Sequence, residues 1–219
     1  MMQPKKKLIV QCDFDGTVTD ADVSFLLLDN FTDGNWRKLL DEYHAGRIPV
    51  GLFNSRVFSM IKADKQTMLD FIFQKGMVKI RPGFPDLLGY CSRNGIKVVI
   101  VSNGIDFYIE AILKDLGVNG IKVHAARSHF NSGGMAVEYI GPDGKPIQES
   151  FKESYTRLFR EKGYEVVYIG DGLSDIHPAK RANYVFARAE LLHECRAAKL
   201  TCTPFNDFND VVKCLERLP

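Results

Sequence analysis

The 219 residues have room for one generous domain, or for a core carrying a small insert, and exclude a scaffold of several large domains. An apolar fraction of 45% with 26% charged residues is that of a chain able to bury a core, and a net charge of only +2, spread along the sequence, leaves no footprint for nucleic acid. Apolar runs such as Phe25 to Leu28 and Val98 to Val101 fall far short of the roughly 20 residues that cross a bilayer, so no membrane partner is expected.

In chain order, Leu8 to Cys12 is a nearly continuous apolar run that ends in Asp13-Phe14-Asp15-Gly16-Thr17. It predicts a strand covered on both faces in a parallel sheet, with functional side chains at its carboxyl end. Within residues 19–81 the segments Phe25 to Asn30, Trp36 to Ala45, Val50 to Ile61 and Lys65 to Gln74 are amphipathic at helical spacing with no strand between them, which predicts a helical cap. Phe25, Phe53 and Phe58 are expected in its core. Helix Phe84 to Arg93, strand Ile96 to Val101 and helix Phe107 to Leu116 follow, the strand running into Ser102-Asn103-Gly104 at a helix start. Ala125 to Phe130 and Met135 to Ile140, with Gly141-Pro142-Asp143-Gly144 as a turn, predict a β-hairpin flap. Helix Ser154 to Lys162 precedes strand Val166 to Ile169, which ends in Gly170-Asp171-Gly172-Leu173-Ser174-Asp175, and Phe205 to Leu218 closes the chain as a helix. Gly95, Gly117 and Gly163 are the expected helix stops. Strands alternating with helices give an α/β fold, a doubly wound, mostly parallel sheet, with a discontinuous core of residues 1–18 and 82–219 and a cap of residues 19–81.

Asp13 and Asp15 converge where the chain leaves the sheet at Gly16, and the pair can divide labour, an ionised Asp13 attacking while Asp15, its pKa raised by its neighbour and by burial, holds a proton to donate. Taken alone, the same residues serve equally as helix caps or an Asx turn. Asp171 and Asp175 bring further carboxylates to the same sheet edge. Such a cluster calls for a hard cation, Mg²⁺, to relieve its repulsion. Ser102, Asn103 and Gly104 at a helix N-terminus suit a phosphoryl group, and Lys152 supplies the balancing positive charge. Asp175 as a cap, and Lys152 as a solvated lysine, are the plain alternatives. Five cysteines without a Cys-x-x-Cys pair indicate neither a disulfide framework nor a zinc site, and fit a cytoplasmic protein.

Asp13-Phe14-Asp15-Gly16-Thr17, Ser102, Lys152 and Gly170-Asp171-Gly172-x-x-Asp175 resemble, in this order, the four motifs of the haloacid-dehalogenase-like superfamily of phosphohydrolases. The insert between the first two motifs is similar to the cap of the phosphoserine-phosphatase-like branch. Phe186-Ala187-Arg188, Glu194-Cys195 and Pro204-Phe205 resemble the C-terminal segment of the methionine-salvage phosphatases that act on 2-hydroxy-3-keto-5-methylthiopentenyl-1-phosphate. The resemblance implies a phosphoric monoester hydrolase for a small phosphorylated metabolite. In it Asp13 is the nucleophile that forms an aspartyl-phosphate and Asp15 the general acid and base. Mg²⁺ is held by Asp13, the Asp15 carbonyl and Asp171 with Asp175 in support, and phosphate by Ser102, Asn103, Gly104 and Lys152. Asp22 and Arg56 of the cap are candidate leaving-group contacts, Arg56 being equally a surface residue. Two departures stand out: Asn103 occupies the place of a usual glycine, and Asp22 that of a glutamate expected in phosphoserine phosphatases. A phosphoserine phosphatase or another small-metabolite phosphatase of the branch, and a non-enzymatic phospho-accepting or phosphate-binding module, are the other readings; oligomeric state has no signature in the sequence.

Overall fold

A computed structural model describes residues 7–131 and 134–218. Its sheet has the order β4-β3-β2-β1-β5-β6-β7, built from β1 (Leu8–Cys12), β2 (Lys97–Ile105), β3 (Lys122–Asn131), β4 (Gly134–Glu138), β5 (Glu165–Gly170), β6 (Tyr184–Ala187) and β7 (Thr203–Pro204). Every pairing is parallel except that of β4 with β3.

The helices are α1 (Val23–Phe31), α2 (Arg37–His44), α3 (Val50–Ser59), α4 (Lys65–Ile72), α5 (Phe84–Arg93), α6 (Asp106–Asp115), α7 (Phe151–Glu161), α8 (Ile176–Ala179), α9 (Ala189–Ala197) and α10 (Phe208–Leu215). Side-chain alternation along the strands divides them between the two faces of the sheet. Ile9, Val99 and Val166 meet the α7 rings of Phe151, Tyr155 and Phe159, while Val10, Cys12, Ile100 and Val167 join a cluster with Phe84 of α5, Ile109 of α6 and Val211 of α10. Leu27, Phe53, Ile61 and Met68 from the segment of α1 to α4 belong to that second cluster, so the inserted helices have no core of their own. Asp22, Asp64 and Asp207 cap α1, α4 and α10, their carboxylates accepting from Phe25 N, Thr67 N and Asn209 N. Gly95, Gly117 and Gly163 stop their helices at φ +67°, +68° and +80°.

Two expectations need correction, and the expected hairpin is present. Ser102, Asn103 and Gly104 are the irregular end of β2 rather than a loop at a helix start, because pairing with β3 breaks after Val101 and resumes at Ile105. The hairpin is an extension of the main sheet, since Lys122 to His124 of β3 pair with β2 and only Arg127 to Asn131 pair with β4. Gly141 to Gly144 do turn, with Gly144 N on Gly141 O at 3.0 Å, but beyond β4; the connection of the hairpin falls at residues 132–133, outside the described residues.

Candidate active site

At the end of β1 the chain stays hung on the sheet through Asp13 N, which donates to Ile169 O at 2.9 Å, and then winds tightly, Thr17 N, Val18 N and Thr19 N all donating to Phe14 O. Gly16 is at φ +71°, and a Cβ there would stand 2.3 Å from Asp171 Oδ2, so only glycine lets the first and last of the motif strands bring Asp13 and Asp171 to one point. Thr17 Oγ1 fixes Asp171 by donating to its Oδ1 at 2.8 Å. The Gly16 carbonyl accepts from two guanidinium groups, Arg188 Nη1 at 2.7 Å and Arg81 Nη2 at 2.9 Å.

Lys152, in the first turn of α7 and 3% exposed, sits between two acids: Nζ is 2.6 Å from Asp175 Oδ1 and 2.8 Å from Asp13 Oδ1. Its backbone is anchored by Gln11 Nε2, which donates to Lys152 O at 2.9 Å while Gln11 Oε1 accepts from Thr156 Oγ1. Burial works against the lysine charge, but Asp13 and Asp175 together outweigh it and raise its pKa. Asp175 is saturated by protein donors: Lys152 Nζ and Tyr168 OH on Oδ1, Asp171 N and Gly172 N on Oδ2. It shapes the loop that presents Asp171. Asp13 is different, because the ion pair with Lys152 is poorly aligned for a hydrogen bond and leaves its buried Oδ1 without a proper donor.

Asp13, Asp171 and Asp175 each offer a carboxylate oxygen within 4.8 Å of the others. Burial pushes Asp13 up to about 7 against the pull of Lys152, and burial followed by Asp175 pushes Asp171 up to about 6. Hard oxygens crowded in this way, one of them lacking a donor, fit a small divalent cation such as Mg²⁺.

Asp15 lines the same cleft, its Oδ1 accepting from Val23 N at 3.0 Å and its Oδ2 from Tyr108 OH at 2.5 Å. Withdrawal from water, then the neighbouring Asp22, raise its pKa well above the carboxylate range. Asp22 itself is pushed up to about 6, chiefly by burial. Ser102 Oγ accepts from Gly104 N at 3.0 Å, the Asn103 carbonyl accepts from Asn54 Nδ2 and Tyr139 OH, and Asn103 Oδ1 is buried with no partner.

These groups open onto one cleft of about 470 Å³, lined on the sheet side by Asp13, Asp15, Ser102, Asn103, Gly104, Lys152 and Asp171, with Asp22 beside them. Phe25, Leu40, Tyr43, Val50, Phe53 and Asn54 form the helical side. Arg56 is not brought there: it is exposed on α3 and absent from the lining, whereas Asn54, two positions earlier, faces the site. Phe58 and Phe53 are core as expected, at 1% and 4% exposure, with half-buried Phe25 packed against that core, and Phe25 and Phe53 line the cleft as well. Sequence reasoning missed Arg188, which lines the cleft with a buried, unpartnered Nε, and Tyr108. The signal for Arg188 was its place at the end of β6, a strand too short to be read from its pattern.

A protein of Geobacillus thermodenitrificans named 2-hydroxy-3-keto-5-methylthiopentenyl-1-phosphate phosphatase is 36% identical over 98% of each chain, and one of Geobacillus kaustophilus with the same name is 33% identical over 97% of each. Among solved structures, a phosphoserine phosphatase from T. onnurineus superposes with a TM-score of 0.68 at 21% identity, over 100% of this chain and 99% of the other, a likeness of fold. Residues 10–180, which run from the first motif past the last, match the profile of the haloacid dehalogenase-like hydrolases, and the chain belongs to that family.

Proposed function

We propose that the protein is a phosphoric monoester hydrolase that removes phosphate from a small phosphorylated metabolite through a covalent intermediate on Asp13. The observation that carries this reading is the meeting of Asp13, Lys152 and Asp171 at one point of the cleft that Asp15 also lines. An Asp13 oxygen attacks phosphorus in line as the ester P–O bond breaks, and Asp15 gives its proton to the departing alkoxide. Water then attacks phosphorus of the aspartyl-phosphate while Asp15 takes a proton from it, which restores the acid and releases phosphate. Lys152, the Ser102 hydroxyl and the Asn103 amide hold the phosphoryl oxygens and offset their charge, while the Gly104 amide is spent on Ser102 Oγ and orients that hydroxyl. Asp13, the Asp15 carbonyl and Asp171, with Asp175 shaping the loop, would hold Mg²⁺, which would supply further positive charge to the phosphoryl group.

Residues 19–81 act as the cap. Their entry and exit are zipped together, Thr19 bridging Ile80, Asp20 N donating to Lys79 O and Arg81 N to Val18 O, which supports hinges at 18/19 and 81/82. The cap wall offers Phe25, Leu40, Val50 and Phe53 beside the polar Asp22, Ser24, Tyr43 and Asn54, and no Lys or Arg, Arg188 reaching the cleft from the core side. An apolar leaving group with few charges suits that wall, as the substrate in the names of the two Geobacillus proteins does, and the carboxylate of phosphoserine finds no cation there. Buried, unpaired Cys12, Cys91 and Cys195 fit work in the reducing cytoplasm.

The test is Mg²⁺-dependent phosphate release from 2-hydroxy-3-keto-5-methylthiopentenyl-1-phosphate, phosphoserine and p-nitrophenyl phosphate. We expect the first to be preferred and Asp13→Asn to lose at least about 10³-fold in kcat with the fold intact. Wild-type turnover by folded Asp13→Asn would remove the nucleophile assignment, and preference for phosphoserine the substrate assignment.

A further inference from the structure

We infer that Tyr108 is a positioning residue for the reaction: its hydroxyl, backed by Ser24, holds the Asp15 carboxyl in orientation for proton transfer to the leaving group. The inference rests on Asp15 being the general acid.

Tyr108 lies on α6, is 0% exposed, and its ring is wedged beside Phe14 and Phe107 at centroid distances of 6.5 and 5.6 Å. Its hydroxyl makes two contacts, Asp15 Oδ2 at 2.5 Å and Ser24 Oγ at 2.7 Å. A phenol has one proton. With Asp15 ionised, Tyr108 donates to it and Ser24 donates to Tyr108; with Asp15 protonated, the phenol oxygen accepts and Tyr108 donates to Ser24, so the same two contacts hold the carboxyl in either state. The other carboxyl oxygen, Oδ1, accepts from Val23 N, a group that can only donate. Each oxygen of Asp15 is therefore held by a partner, and rotation of the carboxyl is stopped. The carboxyl is thereby fixed in orientation at the cleft, which Asp15 lines.

The surroundings are shaped for this contact. A Cβ on Gly104 would come within 2.2 Å of both Asp15 Oδ2 and the Tyr108 oxygen, so glycine at 104 is what lets the phenol reach the carboxyl beside the phosphate-binding segment. Ser24 is on α1, the first cap helix, and lines the cleft, so the relay also ties the cap to the acid.

Acid catalysis matters when the departing oxygen needs a proton, and little when it leaves as a stable anion. Single-turnover cleavage of n-butyl phosphate and the nitrophenolate burst from p-nitrophenyl phosphate separate the two cases in wild type, Tyr108→Phe, Ser24→Ala and Asp15→Asn. We expect Tyr108→Phe to slow n-butyl phosphate by roughly 10- to 100-fold, part of the 10²–10⁴ that a general acid supplies, and the nitrophenolate burst by far less. Ser24→Ala should show the same selectivity at smaller amplitude, and it decides the matter if Tyr108→Phe does not fold. Equal slowing of both esters, or an unchanged n-butyl phosphate rate, overturns the role of Tyr108. If Asp15→Asn is selective and Tyr108→Phe is not, Tyr108 alone falls; if Asp15→Asn slows both equally, the acid assignment fails and takes Tyr108 with it.

Discussion

Lys152 has two buried acid partners of unequal independence. Asp175 keeps Tyr168 OH and the amides of Asp171 and Gly172 if the lysine is removed, but Asp13 Oδ1 keeps no well-placed donor. Breaking a buried pair from one side costs about 3–5 kcal/mol because the remaining charge is stranded. Lys152→Met, close in length and apolar, should lose about that much stability in urea unfolding without divalent ions, and added Mg²⁺ should restore part of it. A loss below about 1 kcal/mol would mean that Lys152 does not neutralise Asp13. At this scale the acids were legible, because carboxylates at the ends of several strands have few uses, and Lys152, at a helix start, was legible as their balancing charge. Arg81 was not: its Nε and Nη2 donate to the carbonyls of Thr17, Gly16 and Thr19, and no side-chain pattern in a sequence marks a carbonyl acceptor.

Elements with enough turns to show a period could be read closely; Lys65 to Gln74 becomes Lys65–Ile72, and Phe84 to Arg93 keeps both its ends. What escaped was short. β6 has four residues and β7 two, the latter ending on Pro204 at the sheet edge, and neither length carries a period of two. The strand ahead of the hairpin also hid a contact between elements: His124 of β3 stacks on Tyr155 of α7 with ring centroids 4.0 Å apart. Burial, helped by Lys122, lowers the His124 pKa from 6.5 to about 4. Between those values the unfolded chain takes up a proton that the folded chain refuses, so the stabilising contribution is whole above pH 6.5 and drains away as pH falls towards 4. Replacing His124 with Phe keeps the stacking and removes the titration. The melting temperature of His124→Phe should therefore fall less than that of wild type from pH 7 to pH 4.5, and parallel curves would show that the ring titrates normally.

The whole molecule gathers Asp13, Asp15, Asp22 and Asp171 about one cleft although its net charge is only +2. Each of the four is pushed upward first by burial, so folding without a cation holds carboxylates where they resist ionising. No helix among the described residues is long and apolar enough to cross a membrane. A cation that binds the folded chain alone stabilises it by mass action, by about 2.7 kcal/mol at a hundredfold excess over Kd. For a chain of this size a kilocalorie moves Tm by roughly 2–4 °C. Mg²⁺ at that excess should thus raise Tm by roughly 5–10 °C at pH 7.5, while KCl of equal ionic strength should not. EDTA should reverse the rise. Asp171→Asn removes a charged ligand and relieves repulsion at once, so it should melt at or above the wild-type temperature without Mg²⁺ and gain much less on its addition. The crossing of those two curves distinguishes a metal centre from general screening, since screening would shift both proteins alike.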